Sequence, residues 1–231
     1  MSISAKSTVS FRYQPYRRPY DPRWRFITGF SSPKRILDLG CRSGKTASDF
    51  LKLYPGVELY GIDVAEEGPA FVRYTKANLN VDVLPYDDEF FDGVFMNHVL
   101  EHLTDPFHIS REIRRVLRPS GAAYFEAPNW TSTILPSIST IRGQVIAPIN
   151  FYDDPTHVRP WSKHAMYSYI TQMCSFDVVA YGVRHNWSRL PANLLRFPYD
   201  LAFGDPNRSV RACIWDIAGW SVFGIGRKPS S

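Results

Sequence analysis

Arg35 to Gly44 reads R-I-L-D-L-G-C-R-S-G: a short apolar run closes on Asp38, Leu39 and Gly40, a second glycine follows at Gly44, and a helical pattern starts at Lys45. A buried strand that turns through glycine into a helix is the opening unit of a parallel α/β sheet. The turn leaves backbone N–H groups at the carboxyl edge of that sheet, where a ligand can be held. The pattern then repeats. Strands are predicted at Val57–Ile62, Val81–Leu84, Phe91–Met96, Ala122–Glu126, Phe176–Tyr181 and Trp220–Gly226. Helices are predicted at Asp21–Phe30, Lys45–Tyr54, Glu66–Ala77 (Ala70, Phe71 and Tyr74 inward), Pro106–Leu117 and Ser162–Met173. Strand alternating with helix gives a parallel sheet with helices on its faces.

Residues 1–19 read as a basic flexible arm and 20–231 as one domain, with insertions at about 129–161 and 187–218 that break the period and are expected to act as lids. Residues 1–35 hold eight Lys/Arg against one acid, Asp21, which leaves 19 basic and 21 acidic residues elsewhere. Such an arm can meet phosphate or an anionic membrane surface, or simply pack its aromatics on the domain. Cys41, Cys174 and Cys213 are scattered and show no metal spacing, so no metal is expected and a reducing, cytoplasmic location is the simplest reading. No stretch approaches the roughly 18 uninterrupted apolar residues of a membrane span, and no secretory signal is read.

Three ligands compete for the glycine turn. The dinucleotide fingerprint G-x-G-x-x-G does not fit, because Gly40 is followed by Arg42 and Gly44. The phosphate loop fits only at Gly44-Lys45-Thr46. Its first glycine would have to stand where Leu39 is, and the strand at Phe91–Met96 leads into Asn97 where a magnesium-binding acid would be needed. The third is S-adenosylmethionine, whose ribose offers two vicinal hydroxyls to one carboxylate. Asp63 ends the second predicted strand and supplies that carboxylate beside the turn, with Val64 next to it. Asp38 orders the turn or lies near the amino-acid end of the cofactor.

The motifs R-I-L-D-L-G-C-R-S-G, L-Y-G-I-D (59–63), L-P-Y-D-D-E-F-F-D (84–92), N-H-V-L-E-H-L (97–103) and L-R-P-S-G (117–121) occur in an order and spacing that resemble a class I S-adenosylmethionine-dependent methyltransferase of the small-molecule type. The resemblance is close over about 33–128 and weaker at D-D-P-T-H-V-R-P-W-S (153–162) and the last strand. It implies a Rossmann-like, seven-stranded, mostly parallel sheet whose last strand is antiparallel. It also implies methyl transfer to a small-molecule or glycan- or lipid-linked acceptor. Carried over by match, Asp63 binds ribose, Gly40, Cys41 and Gly44 line the methionine end, Asn78 and Asn80 stand where an acid meets the adenine amino group, and Asn97 and His98 face the methionine portion. Two features depart from the family. Arg42 replaces the middle glycine of the turn, and amides replace the adenine-site acid.

Acceptor chemistry is expected in the insertion after the fifth strand. His157 is the expected base, with His98 and Tyr152 as further candidates and Arg159 and Trp161 as acceptor-binding residues. Glu101 and His102 invite a metal or acid–base reading, but in the resembling family that pair is mostly structural. Other classes remain open to test. One is a cofactor-binding partner without turnover, and the other an RNA or DNA methyltransferase. The absence of an N-P-P-Y-like tetrapeptide after the fourth strand speaks against the latter, so no nucleic-acid partner is expected.

Overall fold

The computed structural model describes residues 10–14, 21–42, 44–135, 140–141, 144–145, 150–185, 190–203 and 217–230. Strands β1 (Arg35–Leu39), β2 (Glu58–Asp63), β3 (Arg73–Lys76), β4 (Phe91–Asn97) and β5 (Leu117–Pro128) are followed by a small hairpin, β6 (Thr140–Ile141) and β7 (Gln144–Val145), and then by β8 (Asp177–Arg184) and β9 (Ser221–Arg227). Seven of them form one sheet in the order β3-β2-β1-β4-β5-β9-β8. β9 runs antiparallel to both neighbours, while β1 to β5 pair in parallel, so the expected sheet type is present.

Alternation along the strands builds two cores. Leu37 and Leu39 of β1, Val94 and Met96 of β4, and Ala123 and Phe125 of β5 face one side, against Ile109 and Ile113 of α3 (Pro106–Val116) and Met166 of α4 (Lys163–Ser168). Ile36, Phe95 and Tyr124 face the other, against Phe26 of α1 (Pro22–Ile27) and Phe50 of α2 (Lys45–Leu53). The helix starts follow their local chemistry. Asp21 accepts from the Arg23 N–H with Pro22 behind it, Asp105 accepts from Phe107 and His108, and Ser162 accepts from Ala165.

Two expectations fail together. The stretch expected as a helix, Glu66–Ala77, is a loop that ends in β3, because Gly68-Pro69 interrupts any helix there. Val81–Leu84 is not a strand. Val81 and Val83 are exposed, and Asp82 and Asn78 close a turn instead. Within the arm, Phe11 is buried between Phe26 and Phe30, with ring centroids 5.4 and 4.9 Å away, and Arg12 N–H donates to Gly29 O. The flexible-arm assignment is corrected there, since Phe11 belongs to the core. Residues 1–9 and 15–20 of the arm, most of 136–149, 186–189, 204–216 and therefore Cys213 lie outside the described residues. Of the second insertion, α5 (Leu190–Ala202) is described. Among the described residues, no helix is long and apolar enough to cross a membrane.

Candidate active site

β1 pairs with β2 on one side and β4 on the other, so the strand order reverses beside it, at the place where doubly wound sheets hold ligands. A cleft of about 480 Å³ opens there. Gly40 forms its floor at φ +74°. A Cβ there would stand 2.2 Å from a Val99 methyl, so only glycine lets the turn pass beneath that side chain. Gly44, at φ +66°, ends the turn as the residue before α2. Arg42 sits at φ +29°, a conformation costly for a side chain with a Cβ.

Asp63 faces this turn from the end of β2. Its Oδ2 accepts the Arg42 N–H at 2.9 Å and its Oδ1 the Ala65 N–H at 3.1 Å. Two backbone amides therefore fix the plane of the carboxylate, and each oxygen keeps a further lone pair. That is what a vicinal diol needs, and it is the best test the site offers of an adenosyl ligand. Val64 lines the cleft beside it.

The far wall carries Asn78, Leu79 and Asn80. Asn80 Oδ1 accepts from both the Thr104 N–H (2.8 Å) and the Thr104 hydroxyl (2.9 Å), so its oxygen is used up and only its NH₂ can meet a base. Asn78 Oδ1 accepts one bond, from the Asn80 N–H, and keeps an acceptor site. Of the two amides expected at the adenine amino group, the structure leaves Asn78 able to accept. Asn97 ends β4, and its Oδ1 is buried without a hydrogen-bond partner among the described residues. Asp38 and Cys41 lie beneath the surface. Burial, together with the Asp63 charge, pushes the Asp38 carboxyl up to about 7. Burial, then Asp38 and Asp63, pushes the Cys41 thiol up to about 12, so it stays neutral.

His98 lines the cleft at φ +55°. Its Nδ1 is 3.2 Å from Glu101 Oε1 and its Nε2 3.6 Å from Glu126 Oε1. Burial alone would lower its pKa, but the two carboxylates overcome that and hold it at about 10. With both nitrogens protonated it has no lone pair, so the expectation of His98 as a base is corrected: it is a cation at neutral pH. Glu126 is fully buried. Burial opposes its charge, but Arg184 at 2.8 Å and His98 keep it ionised, far below the usual carboxylate range. Arg184 also reaches Asp21 at 2.9 Å, joining β5, β8 and the cap of α1. Neither Glu126 nor Arg184 was expected. The available signal was one acid in an otherwise apolar strand, A-A-Y-F-E-A-P.

The segment after the hairpin is bound to the turn that follows β4. Val158 N–H donates to Glu101 O at 2.7 Å, and Arg159 Nη2 to Thr104 O at 3.0 Å. His157 stacks on Phe151 with centroids 4.5 Å apart, donates Nδ1–H to Phe151 O at 2.7 Å, and lies 4.8 Å, ring to ring, from His102. His102 and Thr156 line the cleft, and His157 stands behind them. Tyr152 is 69% exposed and points to solvent. Trp161 is buried edge-on against Tyr169, so the structure puts it in the core and not at an acceptor pocket.

Residues 37–125 match the family model described as a methyltransferase domain. Methyltransferase str2 of Strobilurus tenacellus is 31% identical over 102 residues, covering 42% of this chain and 37% of that protein. The malonyl-(acyl-carrier protein) O-methyltransferase of Halorhodospira halophila is 32% identical over 101 residues, covering 40% and 34%. The match therefore spans about a third of the length of these curated relatives. Among solved structures, an S-adenosylmethionine-dependent methyltransferase from Archaeoglobus fulgidus superposes with a TM-score of 0.56 at 24% identity, over 89% of this chain and 90% of that one. That likeness shows the same fold.

Proposed function

We propose that this chain, whose residues 37–125 match a methyltransferase-domain family model, is a class I S-adenosylmethionine-dependent methyltransferase that transfers a methyl group to a small-molecule or a glycan- or lipid-linked acceptor. The observation that carries the reading is the Asp63 carboxylate, held by two backbone amides at the mouth of a cleft floored by Gly40. When bound, S-adenosylmethionine supplies an electrophilic sulfonium methyl. Asp63 accepts the two ribose hydroxyls on its remaining lone pairs, Asn78 Oδ1 accepts from the adenine amino group, and Asn97 Oδ1 is the unpartnered acceptor suited to an ammonium. Holding the nucleophile in line supplies up to roughly 7–11 kcal/mol of the acceleration in favourable cases. His98, as a cation, takes no proton. His157, whose Nδ1–H is committed to Phe151 O, keeps Nε2 for the acceptor's proton behind the His102 wall.

Calorimetric titration with S-adenosylmethionine and S-adenosylhomocysteine tests the reading: saturable binding that Asp63→Ala weakens supports it, and no binding by the folded chain overturns it. A second reading, a cofactor-binding partner without turnover, is favoured by the positive φ of Arg42. Binding without methylation across phenolic, carboxylic and amine acceptors would select it.

A further inference from the structure

We propose that Glu101, His102 and His157 bind one divalent transition-metal cation, zinc or an ion of similar size, in the wall of the cleft. One donor atom from each residue lies within 4.8 Å of the other two. Two imidazoles and one carboxylate, with positions left open, form a common donor set for such ions. The protonation pattern suits it. The Thr156 hydroxyl donates to Asp154 Oδ1 at 2.6 Å and so accepts from His102 Nδ1–H at 2.9 Å, while His157 Nδ1–H is held by Phe151 O. With Nδ1 of each ring committed to an oxygen acceptor, Nε2 is the nitrogen left to meet a cation, and Asp154 Oδ2 lies 3.8 Å from that of His157.

Glu101 adds an independent observation. It is 1% exposed; Oε1 is turned to His98, and Oε2 is buried without a partner among the described residues. A buried carboxylate oxygen without a donor is destabilising, and a coordinated cation would remove that cost. The cluster is also rigid. His157 is pinned by its stack on Phe151, and its segment by the Val158–Glu101 backbone bond. Sequence spacing hides the site, because His157 arrives from a different segment.

His102 and Thr156 line the cleft, so a cation held by His102 would be reached from the cleft. Resting on the methyl-transfer reading, this makes the acceptor an oxygen nucleophile. Its hydroxyl, bound to the cation, loses its proton to solvent. An oxygen lone pair then forms the O–CH₃ bond while the S–CH₃ pair returns to sulfur, leaving a thioether. With the cation present, the His157 Nε2 lone pair belongs to it, and coordination replaces proton abstraction in activating the acceptor.

The test titrates Co²⁺ into the full chain after chelator treatment, read by visible absorption, with Zn²⁺ as competitor. Saturable binding of one equivalent is expected. His102→Gln and Glu101→Gln should each weaken it by at least the roughly 10–100-fold that loss of an outer-shell partner costs. Circular dichroism confirms folding, and His157→Gln serves if either variant unfolds. No saturable binding, or unchanged affinity in the folded variants, overturns the site. S-adenosylhomocysteine calorimetry on the same samples keeps the two readings apart. If that ligand binds and Co²⁺ does not, only the metal site falls. If Co²⁺ binds and that ligand does not, the metal site stands and the methyl-donor reading falls.

Discussion

Asp63 and Arg42 share one hydrogen bond and have opposite effects on stability. Asp63 is positioned by the Arg42 amide, and that amide is positioned by a backbone conformation arginine disfavours. Replacing Arg42 by glycine should raise unfolding stability by about 1 kcal/mol, read in urea titrations, while leaving the amide in place for Asp63. Asp63→Ala should weaken S-adenosylhomocysteine binding by about 3 kcal/mol, roughly 100-fold by calorimetry, since charge-assisted hydrogen bonds are lost. Asp38 sets a pH dependence. Its folded pKa, about 7, lies above its ordinary value of 3.8, so the folded state holds more protons between those values. Its contribution to stability is full below about 4, falls as pH rises and is gone above about 7. Asp38→Asn should remove that slope from urea midpoints measured across the window. At this scale the sequence revealed the groups that depend on chain order: Gly40, Gly44 and Asp63 follow from strand–turn–helix spacing. It could not reveal that Thr104 occupies the Asn80 oxygen, or that Glu101, three residues on, and the distant Glu126 together hold His98 protonated.

Elements were legible where periodicity and end signals agreed. α3 and α2 begin and end close to where their apolar spacing and caps place them. Between Glu66 and Leu84 the pattern misleads because Phe71 and Tyr74 mimic a helical face, while Gly68-Pro69 just ahead of them forbids the helix and β3 uses Arg73–Lys76 instead. Among elements, the tie of β5, β8 and α1 through Glu126, Arg184 and Asp21 carries a large conditional stability. Glu126→Gln leaves Arg184 and His98 without their shared buried anion. It should cost about 3–5 kcal/mol in urea unfolding, largely insensitive to added salt because the group is out of water.

Over the whole molecule, the two faces of the sheet have different duties. The face covered by α1 and α2 is an aromatic core into which Phe11 reaches. The site lies at the carboxyl edge of the strands. Phe11→Ala should cost about 3 kcal/mol of stability while leaving S-adenosylhomocysteine affinity unchanged, a contrast that melting curves and calorimetry on one preparation would show. The parallel sheet could be inferred from alternation alone. The position of each strand could not, because pairings such as β5 with β9 join distant segments, and no local signal encodes them. In the described sheet β8 pairs only with β9, and β9 lies between it and β5. During synthesis, then, the finished β8 has no seat until Ser221–Arg227 is delivered. Until then the outer rim of β5 is a bare template that another nascent chain can capture. A pause in translation ahead of that last strand is the moment when this protein is most exposed to clumping and most dependent on a chaperone.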